Sequence, residues 1–470
     1  MGYDDLAPWY ERAEWAIGVS GNVDEQKFHG IHFSDGYRFP MQKIPSAYGD
    51  KWLAERLDDK TYREGDEDIP LTVTNTPVGR NSIPHREEAI VGGERMKPYE
   101  PSGGSPELAW RGERCEGNSS CIPICPVQAK YSALKTLGVT KRADPQNLSI
   151  RTQCVVSRLE TDSDSGRVTS VVYKHYDAPN LVSFTERRIE GRIVIMAANA
   201  VENAKLGLAS GLRNESDQLG RNLMDHPFLL GWGLAPEGEP VGAFRGPGAT
   251  SGFEMFRDGA FRRHRSGFRA EIGNWGWNLA AGSPFSDVSK LAREEGLRGK
   301  ALRAALADRI PRQVRVGAVT EQMPLPENRV TIDPTIADAL GEPRPIIDYR
   351  IDEYTFRGLT LARDVFAHAF KEAGVDNKSV YSPDDPGYVE YDGEGVVYYG
   401  SGHLVGTHRM GKTERDGVTD KCGRVFGHPN LWMVGAGAMP TIGTCNPTLT
   451  LSALTMLAAQ DMVEKAGSLQ

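Results

Sequence analysis

Gly400-Ser-Gly-His403-Leu-Val-Gly-Thr-His408-Arg-Met-Gly411, followed by Asn430-Leu-Trp-Met-Val-Gly435-Ala-Gly-Ala-Met-Pro440-Thr-Ile-Gly-Thr-Cys-Asn446-Pro447-Thr448, decides how this chain is read. Leu431–Val434 has the length and apolarity of a short buried strand. It runs into Gly435-Ala436-Gly437, where backbone can approach a ligand closely. Asn446-Pro447-Thr448 opens the final helix, with Asn446 expected as N-cap and Pro447 at the first helical position. A helix N-terminus beside a strand end favours the electron-rich edge of a bound ring. Taken singly, Asn446 could do no more than cap a helix, and His403 could be a satisfied loop histidine.

Working backwards, Arg192–Ala197 reads as a buried strand leading into a helix over Ala200–Ala209. Leu148–Leu159, Arg167–Asp177 and Val182–Arg188 form an antiparallel meander, with a turn at Ser163–Gly166. Strands are expected around Gln313–Gln322 and Ile346–Tyr349, a charged helix near Val288–Ala307, and a long amphipathic helix over Asp352–Ala373. At the start, Asp4 or Asp5 caps a helix that places Leu6, Trp9, Ala13 and Ile17 on one face and ends at Gly18. A further helix is expected near Ala47–Leu57, within loop-rich cover. The class is α/β with an added antiparallel sheet.

The 470 residues, 39% hydrophobic and 25% charged, have the balance of a globular chain. A net charge of −8 argues against a nucleic-acid partner. No apolar window approaches the ~18 residues of a membrane span, and the first residues lack the basic and apolar regions of a secretory signal. Cys115, Cys121 and Cys125 lie within eleven residues, whereas Cys154, Cys422 and Cys445 are scattered. A disulfide framework would not cluster this way. Three soft thiolates spaced by Gly and Pro suit a metal or an iron–sulfur cluster. Three buried free thiols, or a zinc completed by a distant histidine, fit the same spacing.

The C-terminal motifs together resemble the glucose–methanol–choline oxidoreductases, and the resemblance extends over nearly the whole chain. Asp4-Asp-Leu-Ala-Pro-Trp-Tyr-Glu-Arg-Ala-Glu14 is similar to a segment of that family. Ile195-Met-Ala-Ala-Asn-Ala-Val-Glu202 with Ser210-Gly211 resembles its second signature, although Asn203-Ala204 replaces the usual Thr-Pro. Leu219-Gly-Arg-Asn-Leu-Met-Asp-His226-Pro227 is a further block. The resemblance implies a partial FAD/NAD(P)-binding Rossmann-like domain, about 145–225 and 395–470, plus an antiparallel-sheet substrate domain, about 20–110 and 226–394. Residues 1–19 would be the family's helix, and 111–144 the cysteine loop and linker.

It also implies FAD as cofactor and oxidation of a CH–OH group of a sugar or polyol. His403 falls at the base position and Asn446 at its partner's, with flavin contacts at Val155, Gly435, Ala436, Asn446, Pro447 and Thr448. His408 is expected to be structural or a substrate contact. The cysteine loop resembles that of the bacterial FAD-dependent glucose dehydrogenases. This implies a three-iron iron–sulfur (3Fe-4S) cluster on Cys115, Cys121 and Cys125, a cytochrome acceptor, a small helper subunit and a periplasm-facing location, with a cytoplasmic one left open. An oxygen-using pyranose oxidase and a non-catalytic polypeptide lacking FAD are the rival expectations. Complete members open with a strand–GxGxxG–helix that holds the pyrophosphate of FAD. The nearest pattern here, Gly400-Ser-Gly402-His-Leu-Val-Gly406, has the wrong spacing, so that segment is expected upstream of Met1 or on a separate chain, with a decayed fragment as the third, less favoured alternative.

Overall fold

The computed structural model describes residues 1–27, 30–101, 113–117, 121, 125–177, 183–242, 245–273 and 284–467. Its largest element grows from the strand Pro227–Leu234, whose residues alternate between buried and half-buried. That strand pairs antiparallel with Gln313–Thr320 on one side and Glu394–Gly400 on the other. The sheet continues outward through Phe268–Ile272, Ser251–Phe253 and Val73–Asn75, and on the far side through Tyr388–Tyr391. One face packs on the helix Glu353–Ala373, as its amphipathic pattern requires. Asp352 caps this helix, its carboxylate accepting from the Thr355 N–H at 2.9 Å, and Gly374 closes it at φ 72°. A side chain at Gly231 would lie 2.9 Å from Phe366, so the helix lies flat on the sheet there. Phe253, Phe256, Phe268, Phe366 and Phe370 are almost wholly buried in this core, each worth roughly 1.5–3 kcal/mol of apolar transfer.

Opposed residues of neighbouring strands share a face. Phe228 and Arg269 both oppose Val319, and Trp232 opposes Arg315. These side chains therefore occupy the face turned away from the helix.

The second layer is smaller. Val194–Met196 pairs in parallel with Leu431–Met433, Val194 opposite Leu431 and Met196 opposite Met433. The helix Ala200–Ala209 follows, capped by Asn199, whose Oδ1 accepts from the Glu202 N–H at 3.0 Å. The meander forms from Cys154–Thr161, Val168–Tyr176 and Phe184–Ile189, with Val168–Tyr176 in the centre. Asn430 ties it to the parallel pair, accepting from Val168 N at 2.8 Å and donating to Val168 O at 3.0 Å. The first helix, Tyr3–Ile17, rests on the last, Thr448–Lys465, with Tyr10 Oη and Thr450 Oγ1 3.0 Å apart.

Three local expectations change. The charged helix of 288–307 is two helices, Pro284–Arg293 and Gly299–Arg309, because Gly296 and Gly299 adopt φ of 69° and 52° between them. The strand Val194–Met196 is not fully buried: Ile195 is 50% exposed, and among the described residues only Leu431–Met433 pairs with it. At the first helix the N-cap is Gly2, and Asp5 serves from inside the first turn, accepting from Gly2 N at 2.8 Å. No helix among the described residues is long and apolar enough to cross a membrane.

Candidate active site

His226 and His403 meet where the large sheet approaches the parallel strands. His226 stands immediately before the strand Pro227–Leu234, and His403 lies three residues beyond Glu394–Gly400. One carboxylate sets both. Asp225 Oδ1 accepts from the His226 N–H and the His403 N–H, each at 2.7 Å, and Oδ2 accepts from Gly402 N at 3.0 Å. The rings stand edge to face, centroids 5.1 Å apart, with the two Nδ1 atoms 2.9 Å apart.

The hydrogen-bond chain assigns the tautomers. His226 Nε2 lies 3.0 Å from the Gly443 carbonyl, which can only accept, so Nε2 carries the proton. His226 is wholly buried, and desolvation lowers its pKa to about 4, with His403 acting in the same direction and the Gly443 bond opposing. It is therefore neutral, and its Nδ1 is a lone pair. His403 Nδ1 must donate to that lone pair, which leaves His403 Nε2 as an open acceptor. Burial also lowers the His403 pKa, partly offset by the carboxylates of Asp225 and Glu271. The open Nε2 faces Asn446 Nδ2 at 3.5 Å. Asn446 Oδ1 accepts from Arg269 Nη1 at 3.3 Å. The structure thus brings His403 and Asn446 together, as the sequence led one to expect. It adds Asp225, His226 and Arg269, to which the sequence reading gave no role.

Beside this group, the chain after Leu431–Met433 turns at Gly435, φ 99°, into Ala436; both are half-buried. Gly406 N donates to Ala436 O at 3.4 Å and His408 N to Gly437 O at 2.9 Å, joining the two halves of the C-terminal motif. His408 is fully buried, its Nε2 3.2 Å from Asn203 Nδ2. A Cβ at Gly437 would sit 2.2 Å from His408 Nε2, so only glycine fits there. Asn203 also accepts from Ala198 N at 3.1 Å and donates to Val434 O at 3.2 Å, pinning the ends of both parallel strands. That is the physical use of the departure from Thr-Pro.

The final helix corrects one expectation: Pro447, not Asn446, is the N-cap, and no side chain caps it. Asn446 instead spends its amide on His403 and Arg269. The first-turn N–H groups consequently have no side-chain acceptor, and Asn446 and Thr448 are exposed while Pro447 is buried. An uncapped helix start beside Gly435 and Ala436, at the carboxyl ends of parallel strands, fits the polar edge of FAD. Val155 sits in the meander, half-buried and opposite Lys174.

The cysteine loop does not form the expected ligand set. Cys115, Cys121 and Cys125 are half-buried free thiols. Among the described residues no three His, Cys, Asp or Glu stand close enough to hold a metal ion. Cys115 N is tied to Asn81 O at 2.9 Å, whereas Cys125 starts a turn in which its carbonyl accepts from Gln128 N at 3.0 Å. Residues 118–120 and 122–124, between the thiols, lie outside the described residues.

An antiparallel sheet joined to a smaller parallel pair, with two histidines in contact at the seam, defines a two-layer α/β fold with one candidate site between the layers. Two family models, both described as GMC oxidoreductase, match residues 107–228 and 324–455. The fructose dehydrogenase large subunit of Gluconobacter japonicus is 30% identical over 98% of this chain and 73% of its own length. Paromamine 6'-oxidase of Streptomyces fradiae is 26% identical over 98% of this chain and 71% of its own. In fold the chain is similar to pyridoxine 4-oxidase from Mesorbium loti, with a TM-score of 0.56 at 17% identity, covering 98% of this chain and 77% of that one. The chain belongs to the GMC oxidoreductase family, whose members are FAD-type oxidoreductases of alcohol and sugar groups.

Proposed function

We propose that this chain oxidises a CH–OH group of a sugar or polyol, with His403 as the base. The observation that carries the reading is the open Nε2 of a neutral His403 facing a donor amide 3.5 Å away. A hydroxyl placed between them gives its proton to Nε2, while Asn446 Nδ2 donates to the oxygen as negative charge develops there. His226 holds His403 in the tautomer that leaves Nε2 open, and Asp225 fixes both backbones. Gly435, Ala436, Pro447 and Thr448 would hold the flavin edge, with Val155 as a further contact. FAD, when bound, supplies the acceptor for the hydride that leaves the carbon.

The sugar or polyol class and a place in a multi-subunit dehydrogenase draw support from the relative named fructose dehydrogenase large subunit; a cytochrome acceptor and a small helper subunit rest on the motif resemblance alone. The number and spacing of Cys115, Cys121 and Cys125 support an iron–sulfur site. Among the described residues the three thiols are not grouped closely enough to hold a metal ion. Anaerobic stopped-flow mixing of the FAD-loaded enzyme with a panel of sugars and polyols tests the reading. Flavin bleaching by a sugar or polyol, with reoxidation by ferricyanide but not by oxygen, is expected. Bleaching by none of them overturns the reading, and rapid reoxidation by oxygen converts it to an oxidase.

A further inference from the structure

We propose that Arg269 is a positioning residue that decides which end of the Asn446 side chain faces His403. A side-chain amide is nearly symmetric in shape, so turning it over costs little unless a neighbour distinguishes its ends. Guanidinium has donors only, so the end of Asn446 that meets Arg269 must be the carbonyl oxygen. The nitrogen is then left pointing at His403 Nε2. Reversed, Asn446 would present oxygen lone pairs to the lone pair of the base and to the oxygen of a reacting hydroxyl.

Arg269 is itself immobilised. It is 6% exposed and sits on an inner strand of the large sheet. Nε donates to Glu254 Oε1 at 2.6 Å, Nη1 to Glu271 Oε1 at 2.9 Å and Nη2 to Thr76 Oγ1 at 3.0 Å. The second Nη1 hydrogen goes to Asn446. Burial alone would weaken the cation, but Glu254 and Glu271 more than offset it, and its pKa stays above the ordinary arginine value. A fixed cation that reaches the site through one N–H suits an orienting contact. The contribution to catalysis rests on the function proposed above; the effect on the amide does not.

Arg269→Lys keeps the charge but has one nitrogen where the fork has three, so it cannot serve Glu254, Glu271, Thr76 and Asn446 together and is expected to give up the contact to Asn446; it is compared in the parent and in an Asn446→Ala background. Flavin reduction is expected to slow roughly ten- to hundredfold in the parent, the size of a charge-assisted hydrogen bond. In the Asn446→Ala background the change should stay within about twofold, because the orienting contact is already gone. A second readout needs neither substrate nor flavin: the titration of His403 followed by imidazole 15N shifts in the full chain. Asp225, His226, Glu271 and Asn446 face that ring in every variant except where Asn446 is replaced. With the amide free to turn its oxygen toward Nε2, the protonated ring gains an acceptor. The midpoint should therefore rise in Arg269→Lys and stay put when Asn446 is already Ala. Equal slowing in both backgrounds, or an unmoved midpoint, overturns the proposal. If Arg269→Lys does not fold, Asn446→Asp serves, since it is isosteric and has no donor. It should raise the midpoint and slow flavin reduction at least as much as Asn446→Ala; a parent-like rate or midpoint overturns the proposal.

Discussion

The two regions that carry chemically distinctive side chains are built in opposite ways. The histidine seam draws His226, Arg269, His403 and Asn446 from distant points of the chain; the link between His226 and His403 alone spans 177 positions. The cysteine loop holds three thiols within eleven residues, yet the described residues gather no metal-binding group there. Closeness in sequence makes a ligand set available. A rigid frame that aims the groups at one point makes a site, and among the described residues the seam has such a frame.

The sharpest way to break this contrast is His403→Ala, which should slow flavin reduction by roughly 10²–10⁴-fold, the usual worth of a positioned base. FAD content and thermal midpoint are expected to stay near the parent's. A rate within about tenfold of the parent would move the base elsewhere, since a positioned base is worth more than that.

Next in size is Gly437→Ala. The new methyl group enters the space of buried His408, at a cost of about 1–3 kcal/mol from overpacking. Urea unfolding reads this directly, and an unchanged midpoint would mean that the seam tolerates movement.

Acid provides a third test. His226 and His408 are buried neutral, desolvation lowering each pKa to about 4 from an ordinary 6.5. Between those values the unfolded chain binds the extra protons, so stability is lost as pH falls from about 6.5 toward 4. The slope approaches ~1.4 kcal/mol per pH unit for each histidine. Flat stability across that window would show that water reaches both rings.

The smallest effect belongs to the other region. Cys121→Ser should leave flavin reduction by substrate unchanged and shift stability by about 0.5 kcal/mol or less. Iron and acid-labile sulfide analysis of the parent then reports whether the thiols bind a cluster at all; zinc without either would exclude one.

The sequence revealed the seam unevenly, for physical reasons. His403 and Asn446 were legible because they lie in motifs whose glycines, strand and helix start have local signatures. His226 stood in a recognised block, but its role depends on a ring contact across the fold that no spacing encodes. Arg269 sits in an ordinary-looking strand, and its significance comes only from what the sheet faces. Asn before Pro at a helix start usually caps the helix, but the tertiary partners His403 and Arg269 claim the Asn446 side chain instead. The periodicity of Glu353–Ala373 marks the helix that packs on the large sheet, since burial on one face leaves a regular trace; Pro227–Leu234, apolar or glycine at almost every position, carries no alternation that would mark its strand. The break at Gly296 and Gly299 needed backbone angles that composition alone leaves open.

The hydrogen bond from Arg269 to Asn446 joins the large sheet to the start of the last helix. The proposed function therefore spans a joint between layers, where a slip of an ångström leaves every helix and strand intact. Mild heat or low denaturant should silence such an enzyme while its circular dichroism still looks native. Its working temperature range would then be set by the tightness of that joint and not by the melting of either layer.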